Sequence, residues 1–321
     1  MSLWYNIDTM PELPEVETIK RGLNKFCVQK KINRVEVRCE KSFIGPKELV
    51  EGAKIIGLRR FGKALVFDLD NSVSMMVHLR MTGQLIFRPA PATSAMKESS
   101  GFAGGHPSDS FFEPLPNKQT RVLFEMSEGT LFFNDQRKFG FVKVIPTVEV
   151  EEDKFIKSLA EEPWKIEAET FYNKLQRRKN SPIKAVILDQ KVICGLGNIY
   201  ADEALYDAKI HPETLAGRLT KAQAAQLIKS ACKVMDASID SGGSTMATYV
   251  RADGTKGDYL EKFAKVFRRE GQMCERCGAE IEKIRVAGRG THICPLCQKT
   301  TLMQSVEKCS VGGQEKTGAV E

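Results

Sequence analysis

Two periodicities divide the chain at Pro146, and that division restricts its fold more than any other feature. Up to Pro146 the apolar residues fall in short β-forming runs, RVEVRC, KIIGLRR, KALVFDLD, SVSMMVHL, QLIFRP, RVLFEM, TLFFND and FVKVIP, joined by turns such as Ser127 to Thr130. Serial strands with such turns pair antiparallel and close into a sandwich or a barrel. One helix precedes them. From Pro14 onward Val16, Ile19, Leu23 and Phe26 recur at helical spacing, with proline tolerated in the first turn and acids where the helix dipole favours them.

Beyond Pro146 the strand pattern stops. Helical segments are predicted at Phe155 to Leu159, Ala168 to Arg177 and Ile183 to Asp189, and in NIYADEALYDA with Asn198 as its cap. A longer helix follows, with Thr220 and Gln223 as a capping box, Leu227, Ala231, Val234 and Ser238 on one face, and Gly242 and Gly243 as its stop. The expected class is α+β. Its parts are an extension over 1–9, a β-sandwich over 10–146 led by a helix, a linker over 147–153, a helical domain over 154–265, a metal-binding module over 266–302 and a polar tail over 303–321. Ala90 to Pro116, rich in Pro, Ser and Gly, is expected to be a long surface loop inserted between two strands.

The most specific chemical pattern is Cys274, Cys277, Cys294 and Cys297, spaced C-x2-C-x16-C-x2-C. Each pair fits a tight knuckle, and four thiolates complete a tetrahedron around one Zn2+ with no open position, so the metal is expected to be structural. The remaining five of nine cysteines are scattered, which suits reduced thiols better than a disulfide framework. Between the pairs, EKIRVAGRGTHI reads as a hairpin whose Arg285 and Arg289 either bridge phosphates or are simply solvated.

With 48 Lys and Arg against 41 Asp and Glu the chain carries a formal charge of +7, which favours a polyanionic partner without demanding one. MSLWYNIDT lacks the flank and apolar stretch of a secretory signal, and no apolar run is long enough to span a membrane. A cytoplasmic, nucleoid-associated monomer is the expectation.

MPELPEVET places two prolines and three acids at the start of a helix. Capping accounts for Pro14 and Glu17 but does not require Pro11 or Glu12. If the chain begins at Met10 and loses it, Pro11 presents a secondary amine, much of it neutral at cellular pH. Such an amine can attack the anomeric carbon of a deoxyribose, expel the base and form an imine that opens the way to elimination, with Glu12 suited to proton transfer. A proline near a terminus is also compatible with no chemistry at all.

PELPEVET resembles the start of the formamidopyrimidine-DNA glycosylases, a family that also includes endonuclease VIII. HLRMTG at His78 to Gly83, DQRKFG at Asp135 to Gly140, GLGNIYADE at Gly195 to Glu203 and the terminal zinc finger resemble it too, in the same order over Met10 to Gln298. The resemblance implies a β-sandwich joined to a helix-two-turn-helix domain ending in a zinc-finger β-hairpin, with double-stranded DNA bearing oxidised purines or abasic sites in the cleft between. It implies a bifunctional glycosylase and AP lyase of base-excision repair, which removes 8-oxoguanine and formamidopyrimidines through a proline Schiff base and cuts the strand by β,δ-elimination.

By the same resemblance Pro11 is the nucleophile, Glu12 the acid/base, and Lys63 a basic residue at the lesion nucleotide. Glu15 is either a supporting acid or a first-turn helix acid. Met81, Arg137 and Phe139 match side chains that enter the duplex when the damaged nucleotide leaves it. His78, Lys184, Asn198 and Arg289 are expected to touch DNA, a plain helix cap being the alternative for Asn198. Ser244 to Tyr259 aligns with the loop that covers the extruded base. The alternatives are an endonuclease VIII-like enzyme for oxidised pyrimidines and, should Pro11 not be exposed, an inactive lesion binder or zinc-ribbon nucleic-acid binder.

Overall fold

The structure, a computed structural model, describes residues 10–90, 101–106, 113–243 and 259–299. The extension, the tail and nearly all of the predicted covering loop lie outside the described residues. Helix α1 (Leu13–Cys27) is followed by β1 (Ile32–Val37), β2 (Phe43–Ile44), β3 (Ile55–Phe61), β4 (Ala64–Leu69), β5 (Val73–His78), β6 (Gly83–Pro89), β7 (Phe102–Gly105), β8 (Thr120–Met126), β9 (Gly129–Asp135) and β10 (Phe141–Pro146). They form two five-stranded sheets, ordered β1-β8-β9-β6-β7 and β2-β10-β5-β4-β3. Each of the eight predicted runs is a strand. The pairings are antiparallel except that of β10 with β2, which is parallel.

The inward residues of the two sheets, Phe67, Met75 and Val77 against Phe87, Phe124 and Phe133, share one core with Val16, Ile19 and Leu23 of α1. Leu13, at the first position of the same helix, belongs instead to the core of the helical half. One helix therefore joins both cores and fixes the sandwich against the helical half.

The expected loop from Ala90 to Pro116 is corrected in part. Residues 102–105 pair with β6, and Phe102 is buried against α1, where Gly22 leaves the room it fills: a Cβ on Gly22 would lie 2.0 Å from Cε2 of the ring. The polar composition around these four residues hid a strand that is held by pairing with β6 and by the seating of Phe102 against α1.

The second half comprises α2 (Lys154–Lys157), α3 (Ala168–Gln176), α4 (Ile183–Leu188), α5 (Asn198–Asp207), α6 (Lys221–Ser241) and α7 (Tyr259–Lys262), then the hairpin β11 (Glu282–Val286) and β12 (Arg289–Ile293). Helix α2 starts one residue before the predicted segment because Asp153 caps it, accepting from the Phe155 N–H at 2.9 Å. On α6 the capping box of Thr220 and Gln223 forms as expected, and Gly242 ends the helix in the left-handed conformation. Among the described residues no helix is long and apolar enough to cross a membrane.

Candidate active site and nucleic-acid interface

Helix α5 begins at Asn198, and its cap is Gly197 rather than the predicted Asn198. The reason lies elsewhere in the chain. The carboxylate of Glu12 accepts from the N–H groups of Gly197 at 2.7 Å, Ile199 at 2.9 Å and Tyr200 at 3.4 Å, doing from another element what a cap side chain does locally. Glycine at 197 makes this possible, since a Cβ there would lie 2.2 Å from Glu12 Cδ. Gly195, at φ +101, receives the N–H of Leu13 on its carbonyl and completes the joint.

Glu12 is 2% exposed, and burial pushes its carboxyl up to about 7 against the pull of Lys63 and the α5 amides, with Glu15 adding to the rise. A group so placed holds or releases a proton near neutral pH. Glu15 accepts from the Glu12 N–H at 2.9 Å and from the Tyr200 hydroxyl at 2.6 Å, and that hydroxyl also meets Ser238 of α6. Glu15 thus braces three helices around Glu12.

A cleft of about 220 Å³ opens beside this carboxylate, bordered by Met10, Glu12, Lys63, His78, Met81, Asn198 and Arg289. Pro11 is buried between Met10 and Glu12, its nitrogen here in the peptide bond to Met10. Lys63 donates to the Leu196 carbonyl at 2.8 Å, and burial lowers its ammonium while Glu12 opposes. The turn presenting it is held by Glu162, which accepts from the Gly62 N–H at 3.1 Å and pairs with Arg60, itself bonded to Glu17 of α1 at 2.9 Å. His78 accepts from the Arg80 N–H on Nδ1 at 3.1 Å, and burial with nearby Arg80 and Lys63 pushes it down to about 3, leaving a neutral ring.

On one rim of the sandwich, Met81 and the pair Arg137 and Phe139 stand on two loops joined by a single buried carboxylate. Asp135 accepts from the Thr82 hydroxyl, from the Arg137 N–H at 3.1 Å and from the Gly140 N–H at 2.7 Å. Phe139 is 59% exposed with the Arg137 guanidinium 5.4 Å from its ring centroid. A large aromatic this exposed, on a turn held this firmly, suits insertion between bases.

The four cysteine sulfurs lie within 4.8 Å of one another, with Cys274 to Cys297 at 3.9 Å and Cys277 to Cys294 at 3.3 Å. Zinc–sulfur bonds of about 2.3 Å put tetrahedral sulfurs ~3.8 Å apart, so the donor set fits one zinc and leaves no fifth place. The hairpin between the pairs brings exposed Arg289 to the cleft. Asn198 also borders the cleft, its Nδ2 donating to the Gly290 carbonyl at 3.0 Å.

Lys184 is corrected. Its side chain is fully buried, with Nζ 2.6 Å from Asp202 and donating to Thr291 at 2.7 Å and Gly290 at 3.2 Å. It holds the hairpin onto α5 and does not reach a phosphate. Sequence reasoning missed Thr82, Asp135, Gly197 and Tyr200, although all four stand inside the motifs it singled out. It also missed Arg60 and Glu162, for which no local pattern gives a signal.

Residues 10–142 match the formamidopyrimidine-DNA glycosylase N-terminal domain, 159–250 the formamidopyrimidine-DNA glycosylase H2TH domain, and 271–300 the zinc finger found in FPG and IleRS. The formamidopyrimidine-DNA glycosylase of Pelotomaculum thermopropionicum is 39% identical over 90% of this chain and 99% of its own length. That of Pediococcus pentosaceus is 38% identical over the same shares. Among solved structures, Lactococcus lactis Fpg in complex with abasic-site DNA superimposes with a TM-score of 0.75 at 33% identity, covering 90% of this chain and all of that one. The wild-type Lactococcus lactis enzyme with DNA containing an oxidised pyrimidine gives the same TM-score, identity and coverage of both chains. A buried carboxylate at a helix start, an exposed aromatic on a braced turn and a four-cysteine hairpin thus meet in one chain with the fold of these enzymes, and the chain belongs to the formamidopyrimidine-DNA glycosylase family.

Proposed function

We propose that this chain excises oxidised purines from duplex DNA and then cleaves the abasic strand, with Pro11 as nucleophile and Glu12 as acid/base. The observation that carries the reading is Glu12: a buried carboxyl poised near neutrality at the edge of the cleft, one residue after a proline. With its nitrogen free, Pro11 uses its unshared pair on C1′ of the damaged nucleotide, forming the C–N bond as the glycosidic bond breaks and the base leaves with a proton. Glu12 then protonates the ring oxygen as the sugar opens to the imine. The imine acidifies the C2′ proton, whose removal expels the 3′ phosphate, and a second elimination expels the 5′ phosphate.

Lys63 and Arg289 supply positive charge at the lesion nucleotide and at the backbone, and neutral His78 forms a packed wall beside them. Met81, Arg137 and Phe139 occupy the gap left by the extruded nucleotide, the apolar pair propping the stack and the guanidinium bonding the orphaned base. Asn198 keeps one amide hydrogen for a phosphate. Zinc, when bound, supplies cross-linking of the hairpin rather than chemistry at the sugar. The division of labour follows the two halves, with 10–146 carrying the reaction and 154–302 the grip on DNA, in a single chain acting in the bacterial cytoplasm on the nucleoid.

The decisive experiment is borohydride trapping and strand cleavage on a duplex carrying 8-oxoguanine, with Glu12→Gln for comparison. Loss of strand cleavage in the variant is expected, and full activity would overturn the assignment of Glu12. Because the Lactococcus lactis enzyme has been seen with DNA containing an oxidised pyrimidine, a parallel duplex carrying thymine glycol tests the second reading, which wins if that lesion is the faster substrate.

A further inference from the structure

The first knuckle of the metal site is clasped to helix α5 by a residue that the chemistry above does not use. Tyr206, in the last turn of α5, is 3% exposed, and its hydroxyl lies 3.2 Å from Sγ of Cys274. Arg276, inside the knuckle, lays its guanidinium 4.2 Å from the centroid of the Tyr206 ring and donates to the Tyr206 carbonyl at 3.0 Å. Val266 and Ile281 share the small core that these side chains form with the cysteines. The tyrosine is therefore held under the Arg276 guanidinium and within this core, with its oxygen on the sulfur.

Four thiolates around one dication leave two net negative charges on the cluster. Cys277 is exposed and gives part of that charge to water, but Cys274 is 2% exposed and depends on donors from the protein. A zinc-bound thiolate has no proton to give, so in the metal-bound state the hydroxyl is the donor of this pair. On the reading that the four cysteines hold zinc, we propose that Tyr206 serves the site from outside the ligand set, its O–H···S bond to Cys274 setting how firmly the finger keeps its metal. The partner of a ligand matters in this way because it stabilises the charged form that the metal needs. Tyr206 is a positioning residue and touches neither DNA nor the reacting atoms.

The test uses the full zinc-loaded chain and two variants. Tyr206→Phe removes one oxygen and keeps the ring under Arg276, whereas Tyr206→Leu removes the ring as well. In competition with a chromogenic chelator, Tyr206→Phe is expected to hold zinc at least about tenfold more weakly than the unchanged chain, within the range of roughly 10- to 100-fold for partners of metal ligands. A second readout is thermal unfolding with excess zinc and after zinc removal, where the variant should lose stability only in the loaded state. Two results overturn the proposal: unchanged zinc retention by Tyr206→Phe, with only Tyr206→Leu impaired, or an equal loss of stability with and without metal. Either makes Tyr206 a packing residue. Absence of zinc from the unchanged chain itself would instead remove the metal reading on which the proposal stands.

Discussion

The N–H of Gly197 meets the carboxylate of Glu12 at 2.7 Å, across a gap of 185 residues in the chain, at a point where a side chain on residue 197 would lie on the Glu12 Cδ. Gly197→Ala should therefore displace the carboxylate while leaving the zinc site alone. A shift of about an ångström at a reacting group slows a reaction on the order of a hundredfold, and single-turnover excision should fall by about that much. Normal excision with normal zinc content would show that the contact does not position Glu12.

The same carboxyl makes stability depend on pH. Its folded value, about 7, stands above the ordinary 4.5, so the folded state binds the proton more tightly and loses stability as pH rises between those values. Relative to Glu12→Gln, which cannot ionise, the unchanged chain should lose roughly 3 kcal/mol between pH 4.5 and 7 and little beyond. Denaturant titrations across that window read the difference directly. Parallel curves for the two proteins would mean that Glu12 is ionised at acid pH as well.

How much of this was legible beforehand divides by distance along the chain. The eight long strands were readable because each is a run of β-forming residues bounded by turn residues. Strand β7 was not, because FAGG has no pattern of its own and takes its place from the hole at Gly22. Glu12 was singled out by its neighbours in sequence, but its partners on α5 could be found only in space. Lys184 shows the opposite error. A lysine at the start of a predicted helix suggests an exposed charge, and only the approach of Asp202 and the hairpin reveals a buried one.

That burial separates Lys184 from Arg289, which borders the cleft. Arg289→Ala should lower the slope of log affinity against log salt by about 1, on lesion and plain duplex alike, as the loss of one phosphate contact does. Lys184→Met should leave that slope unchanged and lower the melting temperature of the hairpin region instead, because among the described residues its ammonium is bonded to Asp202, Thr291 and Gly290. A reduced slope in Lys184→Met would restore it as a phosphate contact.

Phe139→Ala and Arg137→Ala should impair excision from a paired duplex more than cleavage at an abasic site, where no intact base has to leave the stack. Unstacking costs about a few kcal/mol, and losing even part of what offsets it slows the step by roughly tenfold or more. Rates on both substrates from the same preparation decide the matter, and equal losses would assign these residues to general binding.

An amide nitrogen has no available pair, so Pro11 can form an imine only where nothing precedes it. Borohydride trapping on 8-oxoguanine DNA should appear for chains that begin at Pro11 after removal of Met10 and be absent from chains verified by mass to retain residues 1–9. Equal trapping by the longer form would transfer the nucleophile's role away from Pro11, with Lys63 the first residue to test.

Strand β7 has a consequence for solubility. It is the outermost strand of its sheet, and on β6 it covers the row of backbone groups from Gln84 to Phe87. Without residues 102–105 those donors and acceptors would face outward along a largely apolar strand, beside an open socket at Gly22. Such an edge is a template on which a second chain can grow. The four residues that looked like spare loop cover that edge, and trimming this segment to the length of a plain turn is expected to yield a protein that precipitates before it loses its fold.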